Sequence, residues 1–211
     1  LVAHYKLDGD ATDETGSYNG TATSLTYSDP AENPSSTEYN GTATNVTYQE
    51  ATNFTPDLVW VKNRGTTQWH GLYDSIRGAS KWITSNDTNA EADTAGTTIT
   101  SFDSNGFSLG DDSNGYGANT NSNNYVAWCF NAGEDAPATN NDGTIPSTVK
   151  ANQEAGFSVV KFTSPSSGVA TVGHGLSSPP DIVLVKTTGV ADSWRMYHSS
   201  LGSNKQIFLN L

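Results

Sequence analysis

Five tryptophans, Trp60, Trp69, Trp82, Trp128 and Trp194, are the residues of this chain best suited to recognition chemistry, because an indole face stacks on a sugar ring. Trp60 and Trp128 lie inside the apolar runs Leu58-Val-Trp-Val61 and Tyr125-Val-Ala-Trp-Cys-Phe130, where packing accounts for them. Trp69 and Trp194 lie in polar, loop-like sequence and are the candidate ligand-binding residues. Hydrolysis of a glycan needs two carboxylates facing one groove. Glu50, Glu91, Glu134 and Glu154 are scattered through loop-like sequence at spacings that fix no common face.

His4, His70, His174 and His198 show no two-ligand spacing for zinc. His174 stands between two glycines, which reads as loop geometry. A serine nucleophile elbow, Gly-x-Ser-x-Gly, does not occur. Asp8 with Asp13, and Asp111 with Asp112, offer the oxygen ligands that calcium takes, but there is no EF-hand loop, and aspartates of this kind serve commonly as turn formers. Asp74 and Arg77 are spaced to pair if their segment forms a helical turn. The expectation is a non-enzymatic protein that needs no cofactor and has no catalytic residues and no metal site, calcium being the one ion its residues could accept. Any binding is expected at Trp69 and Trp194.

The elements that position these residues come from an internal repeat. Asp57-Leu-Val-Trp-Val-Lys62 returns as Asp181-Ile-Val-Leu-Val-Lys186, Tyr73-Asp-Ser-Ile-Arg-Gly78 as Tyr197-His-Ser-Ser-Leu-Gly202, and Lys81-Trp-Ile83 as Lys205-Gln-Ile207, each 124 residues on (181 − 57). Trp60 thereby corresponds to Leu184 and Trp82 to Gln206, and a position that accepts either Trp or Leu behaves as core. Asp74 and Arg77 become His198 and Leu201, so their pairing is not essential to the module. The runs Leu58 to Val61 and Ile182 to Val185 are apolar on both faces, which predicts central strands covered on both sides, bracketed by surface charges.

Composition supports a fold of strands and turns. Of 211 residues 34% are hydrophobic, and Gly, Ser, Thr, Asn and Asp are abundant. A net charge of −12 repels a phosphate backbone and argues against nucleic acid as partner. The single cysteine, Cys129, lies between aromatics and reads as a small buried hydrophobe. No run approaches the length of a membrane helix. Thr98 to Phe102 and Gly106 to Gly110 flank Asp103-Ser-Asn105 as a hairpin, and Lys81 to Thr84 reads as a short strand.

A shorter repeat precedes the first copy: Tyr18 to Tyr27 returns as Tyr39 to Tyr48, each with an Asn-Gly turn followed by a Thr-rich strand. Ser28 to Ser36, with two prolines and no apolar pattern, reads as a linker. The boundaries expected are 1–29, 30–53 as linker and repeat strand, 54–176 as the first β-rich module and 177–211 as the start of a second. The start without methionine and the short second copy read as a piece of a longer polypeptide.

Val2-Ala-His-Tyr-Lys-Leu-Asp-Gly9, followed by Asp13-Glu-Thr-Gly16, resembles the first strands of the laminin-G-like, concanavalin-A-like jelly rolls. Pro56 to Arg64, Tyr73 to Ala79, Ser104 to Gly110, Tyr125 to Phe130, Gly156 to Lys161 and Val172 to Leu176, taken in order, resemble the repeated β-rich modules of tail-fibre and other virion appendage proteins of marine bacteriophages, notably those infecting cyanobacteria. This resemblance implies an all-β fold of jelly-roll-like β-sandwich modules in tandem. It also implies a structural virion protein on the particle surface, assembled with other virion proteins, trimeric as fibres often are, and displaying loops to a host surface glycan without inserting in a membrane. The competing expectation is a secreted carbohydrate-active enzyme or its lectin-like binding domain.

Overall fold

Leu58-Val-Trp-Val-Lys-Asn63 holds branched and aromatic side chains with no glycine or proline, and its residues alternate between half-buried and buried as a strand requires. The computed structural model describes residues 35–48 and 52–211. Within them the regular structure is strand, apart from one short 3-10 turn at Ser199–Leu201. The strands are β1 (Ser35–Asn40), β2 (Val46–Tyr48), β3 (Leu58–Asn63), β4 (His70–Asp74), β5 (Lys81–Thr84), β6 (Ala92–Asp93), β7 (Ile99–Asp103) and β8 (Gly106–Leu109). They continue with β9 (Asn124–Phe130), β10 (Ala138–Asn140), β11 (Ser147–Asn152), β12 (Phe157–Phe162), β13 (Ile182–Val185), β14 (Arg195–His198) and β15 (Ile207–Phe208). The fold is all-β, and no helix among the described residues is long and apolar enough to cross a membrane.

The first module is a sandwich. A six-stranded antiparallel sheet in the order β1-β9-β3-β4-β5-β6 faces the three-stranded sheet β2-β8-β7. Between them lies a core of Tyr39, Val59, Val61, Tyr73, Trp82, Ile99, Phe107, Leu109, Tyr125, Ala127 and Cys129. Val59, Ile99, Phe107, Tyr125 and Cys129 have no exposed surface, and each aliphatic or phenyl side chain buried in this way stabilises the fold by about 1.5–3 kcal/mol. Tyr39 and Tyr125 stack at 4.9 Å. The hairpin β7–β8 forms where expected, and so does the strand β5.

Residues 35–48 belong to this module: Ser35 and Ser36, read as the end of a linker, open β1, while the strand expected after the Asn-Gly turn forms as β2. β1 pairs along its whole length with β9, and β2 pairs with β8, so the segment crosses from one sheet to the other. The Tyr39 hydroxyl donates to the Ala118 carbonyl at 2.7 Å. Gly41, at the crossing, leaves no space for a side chain, since a Cβ there would lie 2.1 Å from the Thr120 carbonyl oxygen. The first copy of the short repeat, residues 18–27, lies outside the described residues. The same holds for the laminin-G-like segment, His4, Asp8, Asp13 and Glu50.

The long repeat is a repeat of structure. In the first copy Leu58, Val59, Trp60 and Val61 face Asp74, Tyr73, Leu72 and Gly71. In the second, Ile182, Val183, Leu184 and Val185 face His198, Tyr197, Met196 and Arg195 at the same offset. The next pairing follows suit, Gly71 with Thr84 matching Arg195 with Phe208. The turns keep their side-chain bonds as well: Asp74 Oδ1 accepts from the Ile76 N–H at 3.1 Å, and His198 Nδ1 accepts from the Ser200 N–H at 3.2 Å.

Two expectations for the strand pair are corrected. β3 is central, held between β9 and β4, whereas β13 is an edge strand of a three-stranded sheet with Ile182 53% exposed, because nothing among the described residues takes the places of β9 and of the facing sheet. Nor are the bracketing charges all at the surface. Asp57 is fully buried: its carboxylate accepts from Lys150 Nζ at 2.7 Å, Ser75 Oγ at 2.6 Å and the Ala132 N–H at 2.8 Å.

The second copy also covers the first. Trp194 and Leu209 pack on the outer face of the six-stranded sheet against Leu58, Trp60, Leu72 and Ile83. The Trp194 indole N–H donates to the Thr84 carbonyl. Backbone bonds from Glu91 to Thr188 and from Asp192 to Thr88, both 2.9 Å, close the contact.

Candidate functional site

The connection from β3 to β4 is set by Asn63. Fully buried, its amide donates to the Tyr125 hydroxyl at 3.1 Å while its Oδ1 accepts from the N–H groups of Gly65 and Thr66. Lys62 adds its ammonium to the carbonyls of Asn63 and Thr66. The loop is therefore ordered from inside, and it carries Trp69 at its end.

Trp69 is 41% exposed. Its ring meets the buried Trp82 edge to face at 5.7 Å, and its N–H donates to Asp87 Oδ2 at 3.2 Å, so the indole is held in place while part of it stays exposed. Beside it Asn86 Oδ1 holds the His70 N–H at 2.9 Å. Lys62, Thr67, Gln68, Trp69, His70 and Asn86 line an open depression of about 440 Å³. Burial, and secondarily the nearby Lys62 ammonium, lower the His70 pKa from its ordinary value. The site thus offers an aromatic platform ringed by hydroxyl, amide, imidazole and ammonium groups. Such a set can exchange hydrogen bonds with a polyhydroxylated surface, and the Asp87 carboxylate at its edge is engaged by the Trp69 indole, the Thr88 N–H and the Asn89 amide.

Trp194 does not join Trp69. It is 5% exposed, with its N–H bound and its rings on Leu72 and Ile83, so it serves packing between the two copies. The repeat places it level with His70, one position from Trp69, which made the two resemble each other in sequence while their surroundings differ. Nothing in the sequence marks Lys62, Gln68, His70 and Asn86 as a group around Trp69. Only the return of the chain through β5 brings Asn86 alongside it.

The remaining candidates are held in structural roles. Asp112 is buried, accepting from the N–H groups of Gly117 and Ala118 and from Thr120 Oγ1, and exposed Asp111 accepts from the Ser113 N–H. Arg77 binds Asp74 and reaches Glu91 at 3.0 Å, within a turn and not a helix. Glu134 accepts from Asn131 at 3.2 Å. His174 Nδ1 caps its own loop by accepting from the Leu176 N–H at 3.1 Å. Among the described residues no group of three His, Cys, Asp or Glu side chains is placed to hold a metal ion.

No curated protein and no solved structure matches this sequence. The model of one family, the domain of unknown function DUF7483, matches residues 29–211, and the chain belongs to that family.

Proposed function

We propose that the chain is a non-enzymatic structural and adhesive part of a virion appendage of the tail-fibre type, in which repeated β-modules carry surface loops to a host glycan. The observation that carries this reading is the geometry of the repeat. One copy packs on the sheet face of the other through Trp194 and Leu209, as units of a longitudinal array do, and the loop ending in Trp69 stays exposed beside that joint. The acidic, strand-rich composition and the resemblance of its ordered sequence blocks to those of appendage modules support it. Other virion proteins and further copies of the same chain, as a trimer, are its partners in this reading.

Binding of the chain and of Trp69→Ala to arrayed bacterial surface polysaccharides tests it. Loss of one stacking platform predicts roughly tenfold weaker binding, with polysaccharide chain length unchanged on prolonged incubation. Release of oligosaccharides would place the protein among the carbohydrate-active enzymes instead. Binding that is indifferent to Trp69→Ala would remove the depression from the account.

A further inference from the structure

The lining of the depression at Trp69 holds one charged side chain, the Lys62 ammonium. Lys62 stands opposite His70 in the pairing of β3 with β4, so the two side chains rise from the same face of the sheet. The His70 ring, its pKa lowered from 6.5 by burial and by Lys62, is neutral at pH 7 and above. Lys62 donates to the Asn63 and Thr66 carbonyls, and no carboxylate among the described residues pairs with it. An ammonium group has three donors, so one N–H is left for a ligand.

The groups around Lys62 add donors to it. Asn86 spends its Oδ1 on the His70 N–H at 2.9 Å, which leaves its amide N–H groups unspent, and Thr67 is exposed with its hydroxyl. Gln68 is held against Gly117, where a Cβ would lie 3.1 Å from its side-chain atoms. The nearest acid is Asp87, at the edge of the depression, and it is already engaged by the Trp69 indole, the Thr88 N–H and the Asn89 amide. Lys186 of the second copy donates to the Thr88 carbonyl at 3.2 Å and stands close enough to Asp87 to offset its charge.

We infer that the depression takes an anionic sugar, its ring packed on the exposed part of Trp69 and its carboxylate or sulfate on the Lys62 ammonium. This rests on the adhesive reading of the same site and adds the charge of the ligand to it. A neutral glycan offers the spare ammonium N–H only a hydroxyl, whereas an anion makes a charge-assisted bond roughly twice as strong as one between neutral groups. Asn86 and Thr67 supply donors to the remaining oxygens of the anion. The net charge of −12 does not oppose the contact, because exposed charges more than about 8 Å away are largely screened at physiological ionic strength.

The probes are oligogalacturonate, the same oligomer with its carboxyls reduced to alcohols, and a sulfated galactan, each titrated calorimetrically into the 211-residue chain. An anionic probe is expected to bind about tenfold or more tighter than the reduced oligomer, and to lose that advantage as salt rises. Preference for the uronate identifies a carboxylate as the anion, and preference for the galactan a sulfate; either supports the inference. Lys62→Gln, which keeps donors for the two carbonyls, should erase the preference, Lys62→Arg should keep most of it, and Trp69→Ala should weaken charged and reduced oligomers alike. Equal binding of all three probes, still weakened by Trp69→Ala, overturns the inference and leaves the adhesive reading standing. No binding of any probe, or binding indifferent to Trp69→Ala, overturns both. A preference that persists in natively folded Lys62→Gln, or one that salt does not diminish, puts the anion elsewhere and overturns the inference.

Discussion

Lys150 of β11 lies 2.7 Å from the carboxylate of Asp57 at the head of β3, joining two parts of the first module that are 93 residues apart. The acid has no exposed surface, and it also holds Ser75 and Ala132. Removing it strands a largely buried ammonium and frees two donors at once. Asp57→Ala should therefore destabilise the chain by roughly 3 kcal/mol, the low end for breaking a buried pair. At the matching position Asp181 is exposed and accepts from Ser199, so Asp181→Ala should cost under about 1 kcal/mol. Urea unfolding followed by tryptophan fluorescence compares the two, and equal midpoints would contradict the assignment.

Trp194 joins the second copy to the first. Truncation to alanine removes its packing on Leu72 and Ile83 and leaves the Thr84 carbonyl without its indole donor. A loss of about 3 kcal/mol is expected from the contact. Because the core between the two sheets of the first module is separate, the loss should appear locally, as faster hydrogen exchange in β13–β15 with little change in β3 and β9. Uniformly faster exchange through both modules would show that Trp194 belongs to a single cooperative core.

Much of this architecture was legible in the sequence because it is local or periodic. Leu58 to Asn63 announces a strand through its alternation, Asp103-Ser-Asn105 announces a hairpin, and the offset between Asp57 and Asp181 predicts a register that the two strand pairs then share. Burial set by distant partners was not legible. Asp57 resembles a surface charge until Lys150 is brought to it, and Ser35 and Ser36 resemble the end of a linker until β9 pairs with them. The same limit applies to the candidate site. Trp69 stood out by residue type, but Gln68 and Asn86 are ordinary turn residues in sequence, and Trp194 took a polar-loop appearance from neighbours that do not surround it in space.

Cys129, in the centre of β9, supplies a probe of the core. Burial pushes its thiol pKa up to about 12, so the reactive thiolate is almost absent at neutral pH. Labelling by a chromogenic disulfide reagent at pH 8 should proceed only as fast as the first module opens, and accelerate by orders of magnitude in denaturing urea. Stoichiometric labelling of the native chain within seconds would mean that the β9 face next to Val59 is open to solvent.

His70 gives the depression at Trp69 a pH dependence whose sign follows from its surroundings. Its folded pKa is lowered from 6.5, first by burial and then by Lys62. As pH falls through 6.5 the unfolded chain takes up this proton before the folded one does. The contribution of His70 to stability is therefore complete above 6.5 and is lost between 6.5 and the lower folded value. An NMR titration of the imidazole should show a midpoint below 6.5. Lys62→Ala should raise that midpoint only in part, because burial, the larger cause, persists. His70→Gln should flatten the dependence of stability on pH across the same window. A midpoint at or above 6.5, or a full return to 6.5 in Lys62→Ala, would show that the ring is solvated and that charge alone governs it.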